Sequence, residues 1–145
     1  MTIPMKNLEI MRDLAWFRYN LRRFLRFSEN AARECGVTPQ QHQLMLGVAA
    51  FTDQSKATIS ELAEFLQERN NSVVGLVERA AESGLVRRQP GDADRRQVVV
   101  SLTPKGEATL EKLTKMHHNE ARRFREEFLN GRDWERRAAT GKKTA

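Results

Sequence analysis

Between residues 10 and 35 the apolar positions step by four, then three, then four again. Ile10, Leu14, Phe17, Leu21, Phe24, Ser28, Ala31 and Cys35 trace the a/d seam of a heptad pattern for more than three repeats. Only a helix lays positions so spaced along one side, and Gly36 stops it. The opposite side carries Arg18, Arg22, Arg26, Glu29 and Arg33, a charged face suited to water. So long a helix with so narrow a stripe requires a partner helix, in this chain or in another. The first quarter of the molecule is therefore predicted to be a docking helix.

The rest of the chain is heavily punctuated. Thr38-Pro39-Gln40-Gln41 combines a hydroxyl N-cap, a proline at the first helical position and a glutamine at the third. The helix it opens, HQLMLGVAAF, is expected to end near Thr52, with TDQSKA as a polar loop. Thr58-Ile59-Ser60-Glu61 is a second capping box, before the short helix ELAEFLQ. Arg69-Asn70-Asn71-Ser72 is read as a turn leading into the helix SVVGLVERAAES, which Gly84 ends. The strands LVRR and QVVVSL follow, with Val98, Val100 and Leu102 on one face at period two. Thr103-Pro104 caps a last long helix bearing Leu110, Leu113, Ala121, Phe124 and Phe128 along one side, and Asn130-Gly131 breaks it. RDWERRAATGKKTA supports one short helix and a basic frayed tail. A short helix, a tight turn, a second helix and a two-stranded ribbon is the winged helix-turn-helix order. The expectation is a mainly α fold with a small β-hairpin wing. Residues 1–36 and 104–145, the latter ending in the basic tail, flank a winged helix-turn-helix region at 37–103.

A winged helix need not bind DNA, so the charges matter. The 145 residues carry a formal net charge of +6, which favours a polyanionic partner. The excess sits in the flanks: +3 over residues 1–35, −1 over 36–103 and +4 over 104–145. Attraction for DNA in the middle must come from where a few charges point. No apolar run approaches the length of a membrane span. The segment LRRFLRF looks like a membrane-surface helix on its own, but the regular seam around it favours a buried dimer helix. The N-terminus lacks the pattern of a secretory signal, and a single cysteine allows no disulfide within the chain. A cytoplasmic protein is expected. His42, His117, His118 and Cys35 show no metal-ligand spacing. There is no nucleophile–base–acid set and no glycine-rich phosphate loop, so neither an enzyme nor a cofactor is expected.

On a wheel, Val73, Leu76, Val77 and Ala80 gather on one side of the second helix, with Ala81 at the edge. Asn71, Gly75, Glu78 and Glu82 face away, beside Ser72 and Arg79. The N-terminal end of such a helix reaches base edges. Here it offers Arg69, Asn70, Asn71 and Ser72, where asparagine can pair with adenine and serine can meet base or phosphate. The same residues also serve simply as helix caps, and both readings stand at this point. The hairpin carries Arg87, Arg88, Arg95 and Arg96 against Asp92 and Asp94. A wing-tip arginine can enter the narrow, electronegative minor groove, and a nearby aspartate would hold it in place. A solvated turn with incidental ion pairs has the same composition.

The run from Ile59 to Glu107, ISELAEFLQERNNSVVGLVERAAESGLVRRQPGDADRRQVVVSLTPKGE, resembles the MarR (multiple antibiotic resistance regulator) family of bacterial transcription factors. The matching pieces are SELA, LVERAAESGLVRR and DADRRQVVVSLTPKGE. Asp94-Arg95-Arg96 fits the family's D-x-R wing motif, and SLTPKG fits its strand-to-helix joint. With the Thr38-Pro39 helix the resemblance spans roughly residues 10–130. It implies a homodimeric DNA-binding protein on double-stranded, pseudo-palindromic operators. Such proteins are usually repressors, often released by a small aromatic or lipophilic effector. It also implies roles by position: Arg96 in the minor groove, Asp94 as its brace, and Arg95 on phosphate. Arg69, Asn70, Asn71, Ser72, Gly75, Arg79 and Arg88 make up the rest of the expected contact surface. The first and last helices interleave between subunits in this family, which would place Ile10, Leu14, Phe17, Leu21, Phe24, Phe124 and Phe128 in the dimer. Two departures stand out. Gly75 occupies a place where many relatives carry a longer polar side chain, and the C-terminus is too short for a further amphipathic helix. Cys35 lies near the end of the first helix, whereas oxidant-sensing relatives carry theirs near its start, so it is read as a packing residue. A winged-helix module that binds protein instead of DNA is the alternative; it would have no need of arginines at the wing tip or asparagines at the turn.

Overall fold

The computed structural model describes residues 2–129, with side chains through Glu127. In chain order the elements are helices α1 (Met5–Glu34) and α2 (Pro39–Ala50), strand β1 (Lys56–Thr58), helices α3 (Ile59–Leu66) and α4 (Asn70–Glu82), strands β2 (Val86–Pro90) and β3 (Val98–Leu102), and helix α5 (Pro104–Leu129). The expected break at Asn130-Gly131 and the tail beyond it lie outside the described residues, as does the side chain of Phe128. The chain divides into two compact units, one of residues 31–115 and one joining 1–30 to the segment from 116 onward.

Residues 31–115 form the winged helix. Both predicted capping boxes are made. Thr38 Oγ1 accepts from the Gln41 amide at 3.1 Å while Gln41 Oε1 accepts from the Thr38 amide at 3.0 Å. Thr58 and Glu61 do the same at 3.2 and 2.9 Å. Each box satisfies two of the amides a helix start leaves open. The core is apolar and closed: Leu44, Met45 and Val48 of α2, Leu62 of α3, Val73, Val77 and Ala80 of α4, Leu85, Val100 and Leu113 are all essentially inaccessible. Helices α2 and α3 approach closely because position 47 is glycine. A Cβ there would lie 2.6 Å from the Phe65 ring.

The wing has three strands, not two. Across the end of the expected TDQSKA loop and the first residue of the capping box that follows, Lys56–Thr58 pairs antiparallel with β3, giving the order β1-β3-β2. Val100 sits at the centre, opposite Ala57 on one side and Arg88 on the other. It is buried, while Leu102 is half-buried and Val98 lies exposed toward the wing tip, so the predicted apolar face is dry only at its middle. The strand-to-helix joint is tied to the end of α4. Thr103 donates its amide to Leu85 O at 3.1 Å and its hydroxyl to Gly84 O, while its Oγ1 accepts from the Gly106 amide at 3.0 Å. Lys105 Nζ donates to Ser83 O at 2.9 Å, supplying positive charge where the dipole of α4 is negative. A Cβ at Gly106 would run into the carbonyl of Leu85. The sequence LTPKG is thus a clasp, with each of Thr, Lys and Gly doing a separate job.

In the other unit, α1 up to residue 30 packs on α5 from residue 116. The Phe24 and Phe124 rings lie 5.3 Å apart between centroids, and His117 stands edge-on to Phe27 at 5.2 Å. Asn20 is buried at 4% exposure with its Oδ1 unpaired. Arg123 bridges Glu120 at 2.7 Å and Glu127 at 2.9 Å. Of the predicted seam, Phe17, Leu21 and Phe24 are half-buried, whereas Ile10 and Leu14 remain 52% and 54% exposed. Arg18, Arg22 and Arg26 all face solvent. No helix among the described residues is long and apolar enough to cross a membrane.

Candidate nucleic-acid interface

The turn between α3 and α4 is tighter than the sequence suggests. Gln67 adopts a left-handed conformation at φ 52° and closes α3, and Arg69 is already the residue before the first turn of α4. Asn70 and Asn71 are therefore helical, not part of a turn. Arg69 makes no side-chain hydrogen bond to the helix end. Asn70 Nδ2 donates to Ser60 Oγ at 3.4 Å, and Asn71 and Ser72 stand exposed. The capping reading of this cluster fails for a simple reason: the helix begins before these residues could cap it. What remains is a first turn presenting open amides, the positive end of a helix dipole and three polar side chains.

Along α4 the inward face is as the wheel predicts, with Val73, Leu76, Val77 and Ala80 buried and Ala81 at the margin. Asn71, Glu78, Arg79 and Glu82 are exposed and Gly75 is half-buried. Glu78, which would repel DNA, faces Arg88 of β2 at 3.8 Å. Both side chains are about half exposed, so the pair adds little stability. It nonetheless offsets a negative charge on this surface.

The wing tip is a closed loop. The Gly91 amide donates to Gln97 O at 2.9 Å and the Gln97 amide to Asp94 O at 3.1 Å. Gly91 is buried where a Cβ would lie 2.5 Å from the Asp94 carbonyl oxygen, so only glycine fits. Asp94 Oδ1 accepts from the Arg96 amide at 3.0 Å and from its Nε at 3.2 Å, with Nη2 at 3.5 Å from Oδ2. The backbone bond from Arg96, and after it the side-chain bond, hold the Asp94 carboxyl below the usual carboxylate range. Arg96 is oriented by this contact while 92% of its side chain stays in water. Arg95 is exposed beside it. Asp92 reaches Lys56 at 3.9 Å but is fully in solvent.

Two clefts flank the start of α4. One, of about 310 Å³, runs to the wing and brings Asn70, Asn71 and Val74 together with Arg96, Gln97 and Val98 over a floor of Thr58, Ile59 and Ser60. The other, of about 350 Å³, lies on the α2 side and is lined by Gln40, Leu66, Glu68, Asn71, Ser72, Gly75 and Arg79, among others. Asn71 borders both and forms the ridge between them. Arg69 is exposed in the turn. Val74, Ser60, Gln97 and Gln40 were not singled out from sequence. Val74 alone left a trace, as an apolar residue on the polar side of the wheel.

A helix-turn-helix of α3 and α4, a core of three helices and a three-stranded wing define a winged helix-turn-helix protein. Residues 36–97 match the family model described as MarR family. The matched segment takes in α2, α3, α4 and the first two strands of the wing. The fold is similar to that of AbsC, a MarR family transcriptional regulator from Streptomyces coelicolor, at 19% identity over 86% of this chain and 81% of that one, with a TM-score of 0.69. A single-residue variant of MarR from E. coli, complexed with operator DNA, is 20% identical over 84% of this chain and 85% of its own, with a TM-score of 0.65. BpsR of Bordetella bronchiseptica, whose DNA binding is regulated by 6-hydroxynicotinic acid, is 21% identical over 76% of each chain, with a TM-score of 0.60. No curated protein matches the chain by sequence.

Proposed function

We propose that this chain is a homodimeric, sequence-specific repressor acting on a pseudo-palindromic operator in the cytoplasm. Residues 37–103 contact DNA, and the helices within 1–36 and 104–145 hold two copies together. Helix α4 enters the major groove by its first turn, where Asn70, Asn71 and Ser72 meet base edges and phosphates. Arg96 enters the adjacent minor groove, Asp94 keeps its guanidinium ordered, and Arg69, Arg88 and Arg95 meet phosphate. The observation that carries this reading is the cleft in which Asn70 and Asn71 of the recognition helix share one concave surface with the braced Arg96. A protein-binding module has no use for an arginine held by its own aspartate above such a cleft. The complex of the E. coli relative with operator DNA supports the same assignment. A small aromatic or lipophilic effector that releases the DNA is part of the proposal, supported by the regulation of the Bordetella relative by 6-hydroxynicotinic acid.

The test is selection of bound duplexes from a random pool at stated salt, because non-specific attraction alone depends steeply on salt. A motif with two inverted half-sites about one helical turn apart is the expected result. Recovery of unenriched sequences, with affinity tracking salt alone, would overturn specific regulation.

A further inference from the structure

Gly75 lies on the face of α4 proposed to meet DNA, and its missing side chain leaves a space. The space is not empty. An ideal Cβ at position 75 would sit 3.3 Å from Nη1 of Arg79, the nearest atom to it. Side chains on a helix lean toward its N-terminus, so the guanidinium of Arg79 lies a full turn ahead of its own backbone. It borders the cleft lined by Gln40, Glu68, Asn71 and Ser72. Position 79 is about two and a half turns into α4, too far along for a short residue to reach a base. Its charged end, however, sits level with Gly75, one turn nearer the end of the helix proposed to enter the groove.

Two neighbouring arginines are already engaged. Arg88 faces Glu78 and Arg96 is held by Asp94. The side chain of Arg79 makes no ion pair or hydrogen bond among the described residues, and it is already extended over the glycine. We propose that Arg79, passing over Gly75, is a specificity-determining residue that reads a guanine in each half-site of the operator. A planar guanidinium pairs with O6 and N7 of guanine in bidentate fashion, and glycine at 75 is what lets it approach. This rests on the DNA-binding reading above and extends it to one base position.

Selections from a random duplex pool with the wild type, Arg79→Ala, Arg79→Lys and Gly75→Gln test it. The wild type enriches a guanine at a fixed position of each half-site. Arg79→Ala lowers discrimination at that position by roughly 10- to 100-fold, the range of one bidentate contact, and leaves the other positions as they were. Arg79→Lys retains affinity but relaxes the guanine preference, since an ammonium cannot pair in bidentate fashion. Gly75→Gln, in a helix whose propensity glutamine favours, stays folded and changes the preferred base there by displacing the guanidinium. An Arg79→Ala variant that binds all sequences more weakly with its base preferences intact makes Arg79 a phosphate contact and overturns the inference alone. A wild type that enriches no motif overturns the sequence-specific reading, and this inference with it.

Discussion

Asp94 and Arg96 are two residues apart in sequence and form a single unit in space. Arginine loses on the order of 1–2 kcal/mol of rotamer freedom when it is fixed on a ligand. A side chain already held at Nε by a carboxylate has lost part of that freedom before DNA arrives. Arg96→Ala is expected to weaken operator binding about 10- to 100-fold, the range for a lost charge-assisted contact, without changing the mass of the protein in solution. Fluorescence anisotropy with a labelled operator reads the first and sedimentation the second; unchanged affinity removes Arg96 from the minor groove. The brace also has a pH signature. The Asp94 pKa is lowered in the folded protein, chiefly by the Arg96 backbone bond. Its stabilising effect is therefore complete above the ordinary carboxylate value and fades as pH falls through the lowered one, below about pH 4. Near neutral pH the brace is constant. An NMR titration of the Asp94 carboxyl is expected to show this lowered midpoint, and Arg96→Ala to move it back upward through loss of the side-chain bond; a midpoint unmoved by that substitution means the arginine side chain does not hold the aspartate. This pair was legible in sequence because its members lie within one turn of chain. The Glu78–Arg88 pair and the placement of Arg79 over Gly75 were not, because each depends on how a helix and strand or two helical turns are set in space.

At the scale of elements, caps and periodicity told most and pairing told least. The starts of α2 and α3 follow from Thr38 and Thr58, since the hydroxyl and the third-position Gln or Glu are both local. Strand β1 was invisible: Lys56-Ala57-Thr58 is three residues without a period, and only its bonds to β3 make it a strand. The start of α4 was placed two residues late because asparagine is a poor helix former and a good cap, yet the tight turn after Gln67 commits both asparagines to the helix. The LTPKG joint was half legible. Thr103-Pro104 announced a helix, but the bonds from Thr103 and Lys105 to the end of α4 join segments about twenty residues apart. Thr103→Val removes a hydroxyl that donates to Gly84 O and accepts from the Gly106 amide. Leaving those groups unsatisfied is expected to cost about 1–3 kcal/mol, read as a lower midpoint in chemical denaturation. Gly106→Ala is expected to cost about as much or more, because its Cβ collides with backbone and not with a side chain that could move. If Gly106→Ala unfolds at the wild-type midpoint, α5 does not need this close approach.

The whole molecule returns to the helix that the sequence marked first. The seam predicted a partner, and one chain supplies only part of it. Phe24 is covered by Phe124 and His117 of α5, whereas Ile10 and Leu14 remain more than half exposed near the start of α1. Met5 and Met11 are exposed there too. Solvent-facing apolar side chains are common singly, but a run of them continuing a heptad seam has the form of an interface. In a two-fold dimer each residue of such an interface counts twice. Burying one leucine contributes about 1.5–3 kcal/mol, so Leu14→Asp is expected to weaken dimerisation by about 3–6 kcal/mol, or roughly a hundredfold to ten-thousandfold in dissociation constant. In a monomer the same change touches an exposed position and is expected to alter folding stability by no more than about 0.5 kcal/mol. The two readings therefore separate cleanly. Sedimentation is expected to show a dimer at micromolar concentration for the wild type and a folded monomer for Leu14→Asp. The variant is expected to bind a full operator no more tightly than an isolated half-site, since the gain from linking two modules is lost when they part. A wild type that sediments as a monomer at that concentration would leave the exposed seam without a partner of its own kind. The affinity of a palindromic site would then have to come from two independently bound chains.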